Sequence, residues 1–460
     1  MIAHTKTRSQ KNPSHQLSRT WWLNTWASAL TLMVGMMVSG PVSAAPLVPI
    51  EITLVDNNAT FYGTFQSHNQ KIVSNDYGIF MTHIRTRNES FTAQQWRLSR
   101  STNGGQSFTT VYEATHATNP PAIETDSQGN IYLVRADFIG DNASLYKFSP
   151  QNDFTQPVIT TIAFKAGDKY SMMIDDPNNR LYFYVNTDWF HIVGLDGSIQ
   201  RTVRLHREGE VADLVYPHLA MGDDGVLHTA WTSQRHDRYL YWDIHHMITP
   251  DGGATWKNLD GTILRPRIVS DHGGPALRIT LDDEFDSHTW LSNFMVKDGK
   301  VHFVYWAQAP ANRQHYMRYN VQTGAREIDH QPEFRGDLLS LRGLDGFFAS
   351  RPDQPGSPLY YVSNIGNTLA CLVSHDNGTT WYDFARDNMA FLGLYSIGGC
   401  RKISDDGYIL GSFTATGYNP ERVYFFKINT NPPEPTPTAR PTATPTEVTA
   451  NGTHSRITLR

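Results

Sequence analysis

Four side chains stand where they could act together. His116, Tyr170 and Tyr216 lie 13, 9 and 9 residues before Gly129, Asn179 and Gly225, the turn residues of three similar segments. Arg235 follows the strand that the third turn opens. Equivalent offsets in successive repeats put such residues around one end of one channel. The set suits proton abstraction beside a carboxylate. An arginine fork neutralises a carboxylate bidentately. An imidazole that titrates near neutrality can take the α-proton, and a phenol near cations can protonate the leaving oxygen. That reaction is β-elimination from a uronic-acid polysaccharide, and its chemistry requires no metal or cofactor. Each residue also has a plainer reading. A lone loop His is usually a surface group, Tyr216 before Pro217 could be a core aromatic, and Arg235 could pair with Asp237 or Asp243.

The elements that must position these residues are visible as a rhythm. A turn followed by an apolar residue and then a large one recurs seven times, with turn positions 78, 129, 179, 225, 299, 356 and 407. The spacings are 51, 50, 46, 74, 57 and 51. Short strands at such a period predict an all-β, seven-bladed β-propeller with one blade per copy. Aromatic residues make up 12% of the chain and no long helical period is present, which agrees with strands. Glu51 to Val55 and Arg422 to Ile428 both read as strands whose pairing would close the ring. His228 and His302 occupy the large-residue slot of the pattern and read as structural. His245 and His246 are adjacent on a strand and so point to opposite faces, which argues against joint metal ligation.

Three octamers share the frame Ser/Thr-x-Asp/Asn-x-Gly-x-x-aromatic: Ser101 to Phe108, Thr249 to Trp256 and Ser374 to Trp381. Each implies a hairpin in which the Asp or Asn side chain bonds nearby backbone and Gly takes a positive φ. They resemble the Asp boxes, or BNR repeats, of sialidase-like propellers, where they serve the fold and not catalysis.

The two ends differ from the middle. Basic residues, an apolar stretch from Trp21 to Val38 and the small-residue site Val42-Ser43-Ala44 predict a signal peptide over 1–44 and a secreted or periplasmic protein. Residues 47–429 form the expected propeller, and 430–460 a Pro/Thr-rich disordered linker and tail. A net charge of −5 without basic runs argues against nucleic acid, and no span is expected in a mature chain, which should be a monomer. Cys371 and Cys400 are expected to form a disulfide in an exported protein, with a zinc site as the alternative. A structural Ca2+ or Zn2+ elsewhere is left open.

The segments His116-x-x-Asn119, Tyr216-Pro217, His228-x-x-Trp231-x-x-x-Arg235 and Asp251 to Gly261 resemble secreted propeller polysaccharide lyases that cut ulvan, a rhamnose–glucuronate glycan. The resemblance is good over about a third of the chain. It implies His116 as base, Tyr170 or Tyr216 as acid and Arg235 as neutraliser. Some members carry an Arg where this chain reads Tyr184-Val-Asn186-Thr-Asp188-Trp189. Asn119, Trp189, Trp231 and His236 are candidates for holding sugar. The 74-residue gap implies an insertion beside the cleft, with Arg265, His272 and Arg278 as candidates for sulfate or carboxylate. The alternatives are a rhamnosidase or sialidase-like hydrolase on the same fold, and a non-catalytic glycan-binding propeller. The Arg-Ile-Pro segment of sialidases does not occur between Ala45 and Arg100.

Overall fold

The structure is a computed structural model that describes residues 46–85, 94–115, 117–136, 142–164, 166–284, 287–339 and 345–431. Among these residues there is no α-helix, only strands and three short 3-10 turns, and no helix long and apolar enough to cross a membrane.

Each turn of the repeated pattern joins the first two strands of a four-stranded antiparallel sheet. Blade 1 runs Ile72–Asn75, Gly78–Arg85, Gln95–Ser101, Thr109–Thr115, and blade 2 runs Ala122–Thr125, Ile131–Ala136, Asn142–Phe148, Val158–Phe164. Blade 3 is Tyr170–Asp175, Arg180–Val185, Trp189–Gly194, Ile199–Arg204, and blade 4 is Ala212–Met221, Leu227–Arg235, Tyr241–Thr249 and Trp256–Lys257, with Ile263–Leu264 paired outside the last. Blade 5 comprises Thr289–Lys297, Lys300–Ala307, Arg313–Asn320 and Arg326–His330; blade 6 comprises Phe347–Ala349, Leu359–Ile365, Thr368–Ser374 and Tyr382–Arg386. Blade 7 takes Leu394–Gly399, Tyr408–Ala415 and Glu421–Asn429, and its outermost strand is the first of the described chain, Val48–Ala59. The first strands of successive blades lie against one another in order. The fold is an all-β, seven-bladed propeller.

The residues form this fold because each strand alternates. One face of a blade packs on the preceding blade and the other on the next. An apolar cluster fills each of the seven interfaces between neighbouring blades, such as Tyr170, Met172 and Phe183 between blades 2 and 3, or Ala220, Leu291 and Phe303 between 4 and 5. Backbone φ is positive at all seven turn positions, including Asn179 at 52°. That explains the Gly and Asn that mark the rhythm.

The three octamers sit between third and fourth strands and repeat one bonding scheme. Ser101 Oγ, Thr249 Oγ1 and Ser374 Oγ accept from the amides of Gly105, Gly253 and Gly378 at 2.9, 2.6 and 2.7 Å. Asn103, Asp251 and Asp376 accept from the amides of Ser107, Thr255 and Thr380 at 3.0, 2.7 and 2.8 Å. The closing aromatics all lean on the preceding blade: Phe108 on Phe425, Trp256 on Phe190, Trp381 on Tyr316. The octamers therefore act as inter-blade pegs.

The expected disulfide does not form. Cys371 lies in the cluster between blades 6 and 7, and Cys400 in the cluster between blades 7 and 1. Both are buried free thiols, and a bond between them would have to pass through the blade 7 sheet. Their separation by that sheet also excludes a shared zinc ion.

The 74-residue gap is filled along the outer edge of blade 4. Ile268–Val269 pairs in parallel with His206–Arg207, and Leu277–Arg278 pairs with His245 and His246. His245 turns to Trp231 and His246 to Phe294, on opposite faces as alternation requires.

Two consequences are measurable. A methyl at Gly378 would press on the Tyr316 hydroxyl at a φ of +84°, whereas Gly225 faces open space at +77°. Gly378→Ala should cost more than about 3 kcal/mol in denaturant unfolding and Gly225→Ala about 1 kcal/mol. Equal costs would refute the peg role. Burial also lowers His206, His228 and His302 to about 3 and His191 to about 4, so these rings are neutral in the fold. As pH falls below about 6.5 the unfolded chain binds protons that the folded chain refuses. Stability should then drop by up to about 1.4 kcal/mol per pH unit for each ring. Unfolding measured between pH 7 and pH 4 checks the slope, which His302→Gln should make shallower.

Candidate active site

The turns between first and second strands leave from one face of the ring, as do the octamers. Starts of first and third strands, and ends of second strands, lie on the opposite face. The segment between Ala59 and Ile72 crosses this opposite face from the blade that closes the ring. Gln66 Nε2 and Asn119 Nδ2 donate to the Asp168 carbonyl at 2.6 and 3.0 Å. Asn69 Nδ2 and His68 Nε2 donate to the Tyr170 carbonyl at 2.5 and 3.3 Å. The His68 ring stacks on His218 of blade 4 at 4.2 Å. A segment starting at blades 7 and 1 is thereby tied to blades 3 and 4, and it forms the floor of the site.

On that floor stands an aromatic group. Tyr216 packs against Trp290 at 4.6 Å and Tyr241 at 5.6 Å, with the edge of His68 at 6.1 Å. Phe65 and Tyr395 belong to the same cluster, with Tyr62 and Trp306 beside it. Lys169 Nζ lies 5.8 Å from the centre of the Tyr216 ring and 3.0 Å from both Asp168 oxygens. Burial followed by the charge of Lys71 lowers His68 to about 3, and burial lowers Lys71 to about 7. The Lys71 ammonium reaches the Gln66 carbonyl by a long hydrogen bond of 3.4 Å. The floor is thus a neutral imidazole beside a lysine that titrates near neutrality.

The structure sorts the sequence candidates. His116 lies outside the described residues. Tyr216 is in the cluster, but almost fully buried. Tyr170 is not: its hydroxyl donates to the Val134 carbonyl at 2.8 Å inside the interface of blades 2 and 3. Equal offsets failed because the first hairpin has four residues between Asp175 and Arg180 (176–179) but five between Met221 and Leu227 (222–226). A one-residue shift turns a strand's side chains to the other face. Trp290, nine residues before Gly299, carried the same offset signal and does join the site.

Arg235 and His272 are on the other side of blade 4. Arg235 holds Asp237 through two bonds of 2.8 and 3.0 Å and lies over Trp242, which His272 also touches at 4.7 Å. Trp242 follows Tyr241, so alternation points it away from Tyr216. Arg278 is engaged with Asp282 and Arg265 is exposed on the outer edge. Trp231 cannot stack on sugar: it is wholly buried, and its indole donates to Ser270. Trp189 is half-buried against the interface of blades 2 and 3. Asn119 is a buried brace for the Asp168 corner. His236 sits between Asp213 at 3.2 Å and Glu208 at 3.5 Å, a trio with the donor atoms for a divalent cation. Sequence reading missed His68, Lys71, Tyr241 and Tyr395. None falls on the repeated pattern, although Tyr239 and Tyr241 directly follow the stretch that contains Arg235.

A cavity of about 710 Å3 lies at the opposite end of the channel, lined by Gln70, Glu124, Met173, Met221, Met295 and Arg401. Gln70 accepts from the Arg401 amide and donates to Glu124, which also binds the Arg401 side chain. The Tyr216 cluster lies at the other end of the channel.

No family model and no curated protein sequence matches the chain. Solved structures do resemble it. One is an ulvan lyase of polysaccharide lyase family PL25 bound to -[GlcA(1-4)Rha3S]-, with TM-score 0.58 at 10% identity over 82% of this chain and 95% of that one. Another is the polysaccharide lyase Uly1, with TM-score 0.56 at 11% identity over 84% of this chain and 100% of that one. At such identities the likeness concerns the fold.

Tyr170→Phe should lower stability by about 1 kcal/mol through loss of the bond to Val134. It should leave the arrangement around Tyr216 unchanged. Thermal unfolding and tyrosine near-ultraviolet circular dichroism of the variant check this, and a collapse of the spectrum would place Tyr170 in the site after all.

Proposed function

We propose that the chain is a secreted polysaccharide lyase that cleaves uronic-acid glycans of the ulvan type by β-elimination. The observation that carries this reading is the phenol group around Tyr216 with Lys169 beside it, at the mouth of a propeller similar in fold to glycan lyases. Aromatic faces such as Phe61, Tyr239 and Trp306 suit the apolar faces of sugar rings. A phenol is the acid for the leaving oxygen and His116 the base. Lys169 replaces Arg235 as the cation that faces the uronate. Lys169 Nζ lies on the phenol side of blade 4, 5.8 Å from the centre of the Tyr216 ring, while Arg235 lies on the other side over Trp242.

Ulvan and other glucuronans should yield an unsaturated uronate, read as a rise in ultraviolet absorbance. No rise with any uronate glycan would end the lyase reading. His116→Ala and Lys169→Ala should each lower kcat/KM by about 100-fold or more, and Arg235→Ala by less than about threefold. The reverse ranking of the two cations would restore Arg235 to the role that the sequence suggests.

A further inference from the structure

Three phenols near the mouth form a graded series. Tyr216 is 2% exposed, Tyr241 7% and Tyr239 71%. The Tyr239 and Tyr241 hydroxyls are 2.6 Å apart, and the Tyr241 ring packs edge-on against that of Tyr216 at 5.6 Å. We infer that Tyr239 is the phenol that meets the substrate, with Tyr241 and Tyr216 behind it as positioning residues. The assignment rests on the lyase reading above and deepens it.

Reach argues first. With Trp290, Tyr241 and His68 around it, Tyr216 cannot touch a sugar oxygen, whereas Tyr239 stands in solvent. Proton supply argues second. Burial raises Tyr216 and Tyr241, so the inner phenols keep their protons. Either hydroxyl can donate across the 2.6 Å contact, and when Tyr241 donates, the Tyr239 proton is left for a partner outside. Rigidity argues third. The Tyr241 ring lies 4.1 Å from Trp290, and its amide donates to His288 Nδ1 at 3.1 Å. Burial lowers His288, so the ring is neutral with its proton on Nε2. It lies 6.3 Å from the Tyr239 ring and brings no charge there.

In the step itself the base takes the proton α to the carboxylate. The electron pair of that C–H bond becomes the new double bond, and the C–O bond to the departing sugar breaks. The departing oxygen takes the Tyr239 proton. The phenolate keeps the hydrogen bond from Tyr241 until water returns a proton.

The test compares two leaving groups, a natural uronate glycan and a uronate aryl ether whose nitrophenolate departs without a proton. Tyr239→Phe should lower kcat on the glycan by about 100-fold with KM within about threefold, and leave the aryl ether within about threefold. Tyr241→Phe should show the same split with a smaller loss, about tenfold. Tyr239 is exposed, so its variant is not at risk of misfolding. If Tyr239→Phe cuts the glycan at the native rate, or loses both substrates equally, the assignment is wrong while the lyase reading stands. If the native protein turns over neither substrate, both fall.

Discussion

The ring is closed by one antiparallel pairing, and the site hangs from it. Val48–Ala59 pairs with Glu421–Asn429 as the outermost strand of blade 7, so the first and last strands of the described fold share one sheet. The irregularities in this pairing, between Leu54 and Asp56 and between Asp56 and Ala59, bend the strand as it ends. The chain then runs straight into the segment that crosses the channel mouth. Because its origin is locked in the closing blade, that segment can carry Phe65 to Tyr395 and His68 to His218. Ring closure and the floor of the site are therefore one structural event.

The floor also sets the electrostatics of the mouth. His68, His218 and the inner phenols are desolvated, and desolvation favours the uncharged form of each. Lys71 is pulled toward neutrality by the same cause. Lys169 and Asp168 stand beside these groups, 3.0 Å apart. A mouth built in this way presents ring faces and hydroxyls, with the Lys169–Asp168 pair beside them. This differs from a field of loose cations, which would attract any polyanion and screen poorly between sugars and other acids.

The rhythm of the sequence was legible because its cause is local. A left-handed turn demands Gly or Asn, and seven turns at near-equal spacing leave little choice of fold. The octamers were legible for the same reason. The closing pair was also foreseen, since both ends read as strands. The site was half legible. Offsets from the turn found Tyr216, and would have found Trp290, but they misplaced Tyr170. A hairpin one residue shorter changes the face a side chain shows without changing the count that suggested it. The disulfide failed for a related reason: sequence distance cannot say which side of blade 7 a thiol faces. The floor segment was invisible, because His68 and Lys71 belong to no repeat and the partners of His68 come from blades 3 and 4.

Alternation within a single strand finally decides what the mouth can be. Tyr241 and Trp242 are adjacent, so one faces Tyr216 and Trp290 while the other faces Arg235 and His272. Blade 4 thus divides its top into a phenolic side and a cationic side. The division is set by the short turn between Arg235 and Tyr241, where the Arg235 amide bonds the Leu240 carbonyl at 3.0 Å. One residue more or fewer in that turn would exchange the two sides and put an indole where the phenol chain needs a hydroxyl. The register of this hairpin, more than the identity of any single residue in it, determines which chemistry faces the floor.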